Sequence, residues 1–115
     1  MNLDEAIAKH AEWKVKFRAA MEHQEQVDHA LIGDDHRCTL GQWLYAEGKA
    51  EHEAKPEFRF LVAKHKEFHA EAGKVAQLIN ARQYAEAEKA LNFGTPYNTV
   101  SNAVGAAILK LKKTL

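Results

Sequence analysis

The chain has 115 residues, with 16 basic and 16 acidic side chains that cancel to a formal charge of zero. A chain of this length forms one domain, 1–115, with a core of its own, and zero net charge leaves no long-range field to steer it toward nucleic acid or an anionic membrane surface. One cysteine excludes an internal disulfide, so the expected compartment is reducing and cytoplasmic. No stretch approaches the roughly 20 apolar residues that span a bilayer. The opening segment carries Asp4, Glu5, Lys9 and His10 and lacks an apolar centre, so no secretory leader is expected. Seven His beside the single Cys is a large stock of metal-binding side chains, and two Pro with six Gly leave few helix breakers.

In chain order, Leu3, Ala6, His10, Trp13, Phe17, Ala20, Gln24, Val27 and Leu31 recur at gaps of three and four. That period predicts one helix of about 29 residues, more than 40 Å long, with His10 in its apolar stripe. A stripe of that length outruns its partners, so a homodimer is expected to cover the excess. Gly33 with Asp34 and Asp35 predicts a stop and a turn. Thr39, or a residue just before it, is placed to cap a short helix through Leu40, Trp43, Leu44 and Tyr45 that Gly48 ends, with Cys38 near its first turn.

Pro56 suits the first turn of the next long helix, where a missing amide hydrogen costs nothing. Phe58, Leu61, His65, Phe68, Ala72, Val75 and Ile79 again step by three and four, turning His65 inward, with His69 one turn on. A break near Asn80 to Gln83 precedes a short helix over Tyr84 to Leu91. Asn92 to Tyr97, containing Gly94 and Pro96, reads as a turn. Val100, Val104, Ala107 and Leu111 mark a final helix whose end carries Lys110, Lys112 and Lys113, as the helix dipole favours. No strand pattern, repeat or low-complexity linker occurs. The expected fold is all-α, four-helix-bundle-like, with a long first helix and short additional ones.

His65 and His69, at i and i+4, project from one helix face and can share a metal, although one core His beside a solvated neighbour gives the same spacing. His10 adds weight, because an imidazole in an apolar stripe costs free energy without a partner. Cys38 reads either as a small buried hydrophobe or, near a helix start whose amide dipoles favour thiolate, as a ligand. Three neutral imidazoles and one thiolate make a tetrahedral set suited to Zn2+. His36 in its acidic loop reads as solvated. Asp34 and Asp35 are candidate acceptors for a ligand imidazole, and Trp13 and Trp43 read as packing around the site.

His10 with Trp13, then Cys38-Thr39-Leu40-Gly41-Gln42-Trp43-Leu44-Tyr45, then His65 and His69, with the later Tyr97 and Ser101, resembles the chemoreceptor zinc-binding family over nearly the whole chain. Gln42 stands where that family commonly has Lys, outside the ligand set. The resemblance implies a three-His, one-Cys zinc site in His10, Cys38, His65 and His69, within a helical, usually homodimeric domain. It also implies a regulatory role without catalysis, in response to zinc or hypochlorous acid, toward a bacterial chemoreceptor or diguanylate cyclase output. The chain is then either free-standing or a piece of a longer signalling protein. Two other functions compete. A mononuclear zinc hydrolase needs a base beside the metal, and Glu67, two residues after His65, lies about 200° around the helix. A hemerythrin-like di-iron protein needs bridging carboxylates and about five His over four helices, whereas the last helix holds no His, Asp or Glu.

Overall fold

A computed structural model describes residues 1–115, and every regular element in it is helical. The order is α1 (Leu3–Glu22), α2 (His29–Ile32), α3 (Thr39–Leu44), α4 (Glu47–His52), α5 (Pro56–Asn80), α6 (Tyr84–Ala90) and α7 (Pro96–Lys112). Three long helices, α1, α5 and α7, pack on one another, while α2 and α6 close on α5. The molecule measures 43 × 25 × 19 Å, its long axis near the length of α5. No helix is long and apolar enough to cross a membrane.

Local chemistry explains most boundaries. Asn2 caps α1 by accepting the Glu5 amide at 3.1 Å, and Thr95 caps α7 by accepting that of Asn98 at 3.2 Å. Pro56 occupies the first turn of α5 and Pro96 that of α7. All seven stripe residues of α5, from Phe58 to Ile79, are buried, and His69 and Ala76 are buried with them. Val104, Ala107 and Leu111 of α7 are likewise buried. Helix α7 starts before the expected position, at Pro96 rather than after Tyr97, because Thr95 caps it there; the turn is confined to the residues around Gly94, whose φ is +86°.

The first helix is shorter than its stripe. At 20 residues it spans about 30 Å, and Leu31, the end of the expected stripe, is exposed. It ends at a left-handed Gln24 (φ 53°), with the Glu25 amide donating to the Ala20 carbonyl at 2.9 Å and the Gln24 amide to that of Met21 at 3.2 Å. The same closure ends α5, where Arg82 (φ 60°) takes the left-handed position. Between α1 and α2 the chain is pinned by Asn80. Its amide donates to the Val27 carbonyl and its oxygen accepts the Val27 N–H, each at 2.8 Å. Asp28 then caps α2 through the Leu31 amide at 3.1 Å. The overhang that called for a second copy therefore does not exist.

Of the two glycines expected to end helices, one does and one does not. Gly48 ends nothing: it lies buried inside α4, where a Cβ would come within 2.8 Å of the Trp43 ring. Gly33 does close α2, and its further role is proximity, since a Cβ on Gly73 of α5 would stand 3.1 Å from the Gly33 Cα. The α2 backbone is thereby laid against α5.

Candidate metal centre

The side chains of His10, His65 and His69 are all buried, and one ligand nitrogen from each lies within 4.8 Å of the other two. His10 arrives from the middle of α1, and His65 and His69 from successive turns of α5. Their ring centroids are 5.3 Å apart for His10 and His65, 6.1 Å for His10 and His69, and 4.5 Å for His65 and His69. The Phe68 ring packs against His10 at 4.6 Å and against Tyr97 at 5.5 Å, tying the cluster to the core.

Cys38 completes the group from the loop before α3. Its Sγ is 3.3 Å from His65 Nε2 and 3.5 Å from His69 Nε2, and those two nitrogens are 3.1 Å apart. A tetrahedral zinc with bonds of about 2.0–2.1 Å to nitrogen and about 2.3 Å to sulfur sets donor separations of roughly 3.4 Å for N···N and roughly 3.6 Å for N···S. The triangle of Cys38, His65 and His69 comes within a few tenths of an ångström of those edges. His10 Nε2 supplies a second sign of fit, being buried without any hydrogen-bond partner.

The protonation states suit a cation. Burial pushes the His10 imidazole down to about 4, with His69 reinforcing the shift and a backbone hydrogen bond to Ala6 opposing it. Burial also takes His65 down to about 2, reinforced by His69, His10 and His36. It lowers His69 too, against the opposing pull of the Ile32 carbonyl and of Asp35 and Asp34. All three are therefore neutral donors of a lone pair at pH 7. For His69 the donating atom is fixed. Its Nδ1 lies 2.7 Å from the Ile32 carbonyl, which can only accept, so the proton is on Nδ1 and the Nε2 lone pair faces the cluster.

Cys38, the residue just before Thr39, is itself the cap of α3: the Gly41 amide donates to its Sγ at 3.2 Å. The helix-start amides of Gly41 and Leu40 lower its pKa, as expected, yet burial outweighs them and leaves the thiol above its ordinary value in the metal-free chain. The helix start alone therefore does not favour the thiolate. Cys38 is only half-buried. A cavity of about 60 Å³ bounded by Lys9, His10, Trp13, Cys38 and Leu40 lies on one side, and one of about 150 Å³ bounded by Trp13, Ile32, Arg37, Cys38 and His69 on another.

The remaining sequence candidates separate clearly. Asp34 and Asp35 do not hold a ligand imidazole by hydrogen bond. The Ile32 carbonyl takes that place for His69, while Asp35 accepts the Tyr45 hydroxyl. His36 is exposed, its ring stacked on Tyr45. Trp13 is half-buried beside the site, whereas Trp43 packs away from it on Gly48, His52 and Phe58. Glu67 is exposed and paired with Lys64 at 3.1 Å, on the far side of α5 from the cluster. Sequence reasoning missed the Ile32 carbonyl and the Gly33–Gly73 approach that delivers it. The legible signal was Asp28, a good helix cap three residues before the Leu31 amide.

No curated protein and no solved structure matches the chain. The family model described as the chemoreceptor zinc-binding domain matches residues 10–76, more than half of the chain, beginning at His10 and taking in Cys38, His65 and His69. The chain belongs to the chemoreceptor zinc-binding domain family.

Proposed function

We propose that this chain is a zinc-dependent sensory module, without catalytic activity, in which His10, Cys38, His65 and His69 are the ligands of one closed Zn2+ site. The observation that carries the proposal is the placing of Cys38 Sγ 3.3 and 3.5 Å from two imidazole nitrogens that are themselves 3.1 Å apart, beside the unpartnered His10 Nε2. Four protein ligands leave no place for a reactive water, and the exposed Glu67 supplies no base, which argues against a hydrolase. The neighbouring side chains include no bridging carboxylate, which argues against a di-iron site.

The bound cation would hold Cys38 as thiolate, and the thiolate is the oxidisable member of the set. Hypochlorous acid reaching it through either adjoining cavity transfers oxygen to sulfur: thiolate plus HOCl gives sulfenic acid plus chloride, the sulfur losing two electrons and the chlorine gaining them. Loss of that ligand loosens α3 from α1 and α5, and the change passes to a bacterial signalling output of the chemotaxis or cyclic-di-GMP kind, in a partner or a fused domain. A homodimer is part of the reading on the family resemblance alone, with no overhang of α1 to support it, and a cytoplasmic location rests on the single Cys, which suits a reducing compartment.

Metal analysis of purified chain should give one zinc per chain, reduced by His65→Ala or His69→Ala. Mass spectrometry of Cys38 during titration with hypochlorous acid should show sulfenic acid rising together with zinc release. Full zinc affinity in the His65→Ala, His69→Ala double variant refutes the ligand set. A Cys38 that stays reduced while the methionines oxidise refutes the oxidant response and leaves zinc sensing.

A further inference from the structure

We infer that the Tyr45–Asp35 pair is a positioning device that aims the Cys38 sulfur at the three imidazoles before any cation arrives; this rests on the ligand set proposed above. Tyr45 follows directly on α3, and its hydroxyl reaches back to donate to Asp35 Oδ2. Asp35 is only 7% exposed, and the hydrogen bond from Tyr45 is the contact that satisfies its carboxylate there, with His36 Nε2 a distant 4.0 Å from the other oxygen. The Tyr45 hydroxyl keeps its proton, its pKa pushed up to about 12 by burial and by the adjacent Asp35, so it is always available as a donor.

The backbone of Asp35 is held as firmly as its side chain. A Cβ at Gly41 would fall 1.8 Å from the Asp35 carbonyl, so the loop lies directly on the first turn of α3. At its other end the loop is fixed by Cys38, which accepts the Gly41 amide. Residues 35–38 therefore run along α3 between two anchors, with the His36 ring stacked on Tyr45 at 3.8 Å and 16°. Only His36 and Arg37 separate the anchored Asp35 from Cys38, which leaves the ligand sulfur little freedom. A buried carboxylate is a costly fastener, and an apolar pair would hold the same area at lower desolvation cost. What the hydroxyl-to-carboxylate bond adds is direction, and for a metal ligand direction lowers the ordering cost of binding.

The test uses the full chain and Co2+ as a spectroscopic probe, with zinc affinity measured by competition against a chelator. Tyr45→Phe, which removes one oxygen atom, should weaken zinc binding about tenfold and diminish the thiolate-to-cobalt charge-transfer band relative to the ligand-field bands. Asp35→Ala should do the same, and the double variant should be no worse than the weaker single. Asp35→Asn, which keeps an acceptor for Tyr45, should stay within threefold of the parent; a loss as large as that of Asp35→Ala would make the charge rather than the position decisive and overturn the inference. Circular dichroism of the chelated chains checks that α3 and the bundle are formed. A parent chain that binds Co2+ with no thiolate band overturns the ligand set and this inference with it. A parent band that Tyr45→Phe leaves intact, at unchanged affinity, overturns the inference alone.

Discussion

His69 Nδ1 donates to the carbonyl of Ile32 at 2.7 Å, joining a long helix to a one-turn helix across 37 residues of sequence. The bond fixes which imidazole nitrogen faces the cluster, and it exists because Gly33 and Gly73 let the two backbones meet. Enlarging Gly73 should therefore weaken metal binding from outside the ligand set. Gly73→Leu is expected to reduce zinc affinity about tenfold, the usual scale for losing the partner of a ligand imidazole. Chelator competition measures it; an unchanged affinity would show that α2 does not orient His69.

The buried imidazoles set the pH response of the metal-free chain. His10 binds its proton at about 4 when folded, against an ordinary value of 6.5, so the folded state holds fewer protons between those limits. The contribution is then fully present above pH 6.5 and declines as the pH falls toward 4, by about 3 kcal/mol in all. His65, lowered further, declines over the same range and beyond. Urea unfolding of chelated protein should show at least about 2 kcal/mol less stability at pH 5 than at pH 7.5. His10→Leu should make the profile shallower, leaving the part due to His65 and His69. A parent profile already flat over that range would mean that the imidazoles are not held neutral by burial.

Gly41 has no tolerance for a side chain, since a Cβ there would overlap the Asp35 carbonyl at 1.8 Å. The obstacle is backbone and cannot rotate away, so Gly41→Ala must displace the loop carrying Cys38. We expect about 3 kcal/mol of destabilisation in the chelated chain, the upper end of the overpacking range, with a larger fall in zinc affinity than in stability. A melting temperature and affinity equal to the parent's would contradict the close approach.

Asn80 holds the turn after α1 by two hydrogen bonds to Val27. Asn80→Leu removes both and leaves the Val27 N–H and C=O without those partners, at a cost of about 1–3 kcal/mol. Hydrogen exchange should speed up at the Val27 amide and in α2 while the α5 core stays protected. Uniform acceleration across the chain would instead mean that the clamp supports the whole bundle.

The α5 stripe was legible because helix period alone selects which residues share a face, and every residue so selected is buried. His10, His65 and His69 were legible for the same reason, and Cys38 through the segment that follows it. The end of α1 was not. The stripe continues in phase through Gln24 and Val27, whereas the chain turns away at the left-handed Gln24 and its new course is held by the Asn80 clamp on Val27, more than fifty residues away in sequence. The balance at the Cys38 thiol was not legible either: the helix-start amides lower its pKa as their place implies, whereas the burial that outweighs them comes from packing.

The sequence by itself determined the helical class, the inward faces and the kinds of candidate ligand, since these follow from residue type and spacing along one chain. Only the tertiary structure decided where α1 stops, which nitrogen of His69 is free and how Cys38 is held. Each of these depends on a backbone carbonyl, a glycine contact or a side-chain clamp brought close by folding, and such groups leave no mark in the periodicity of the chain.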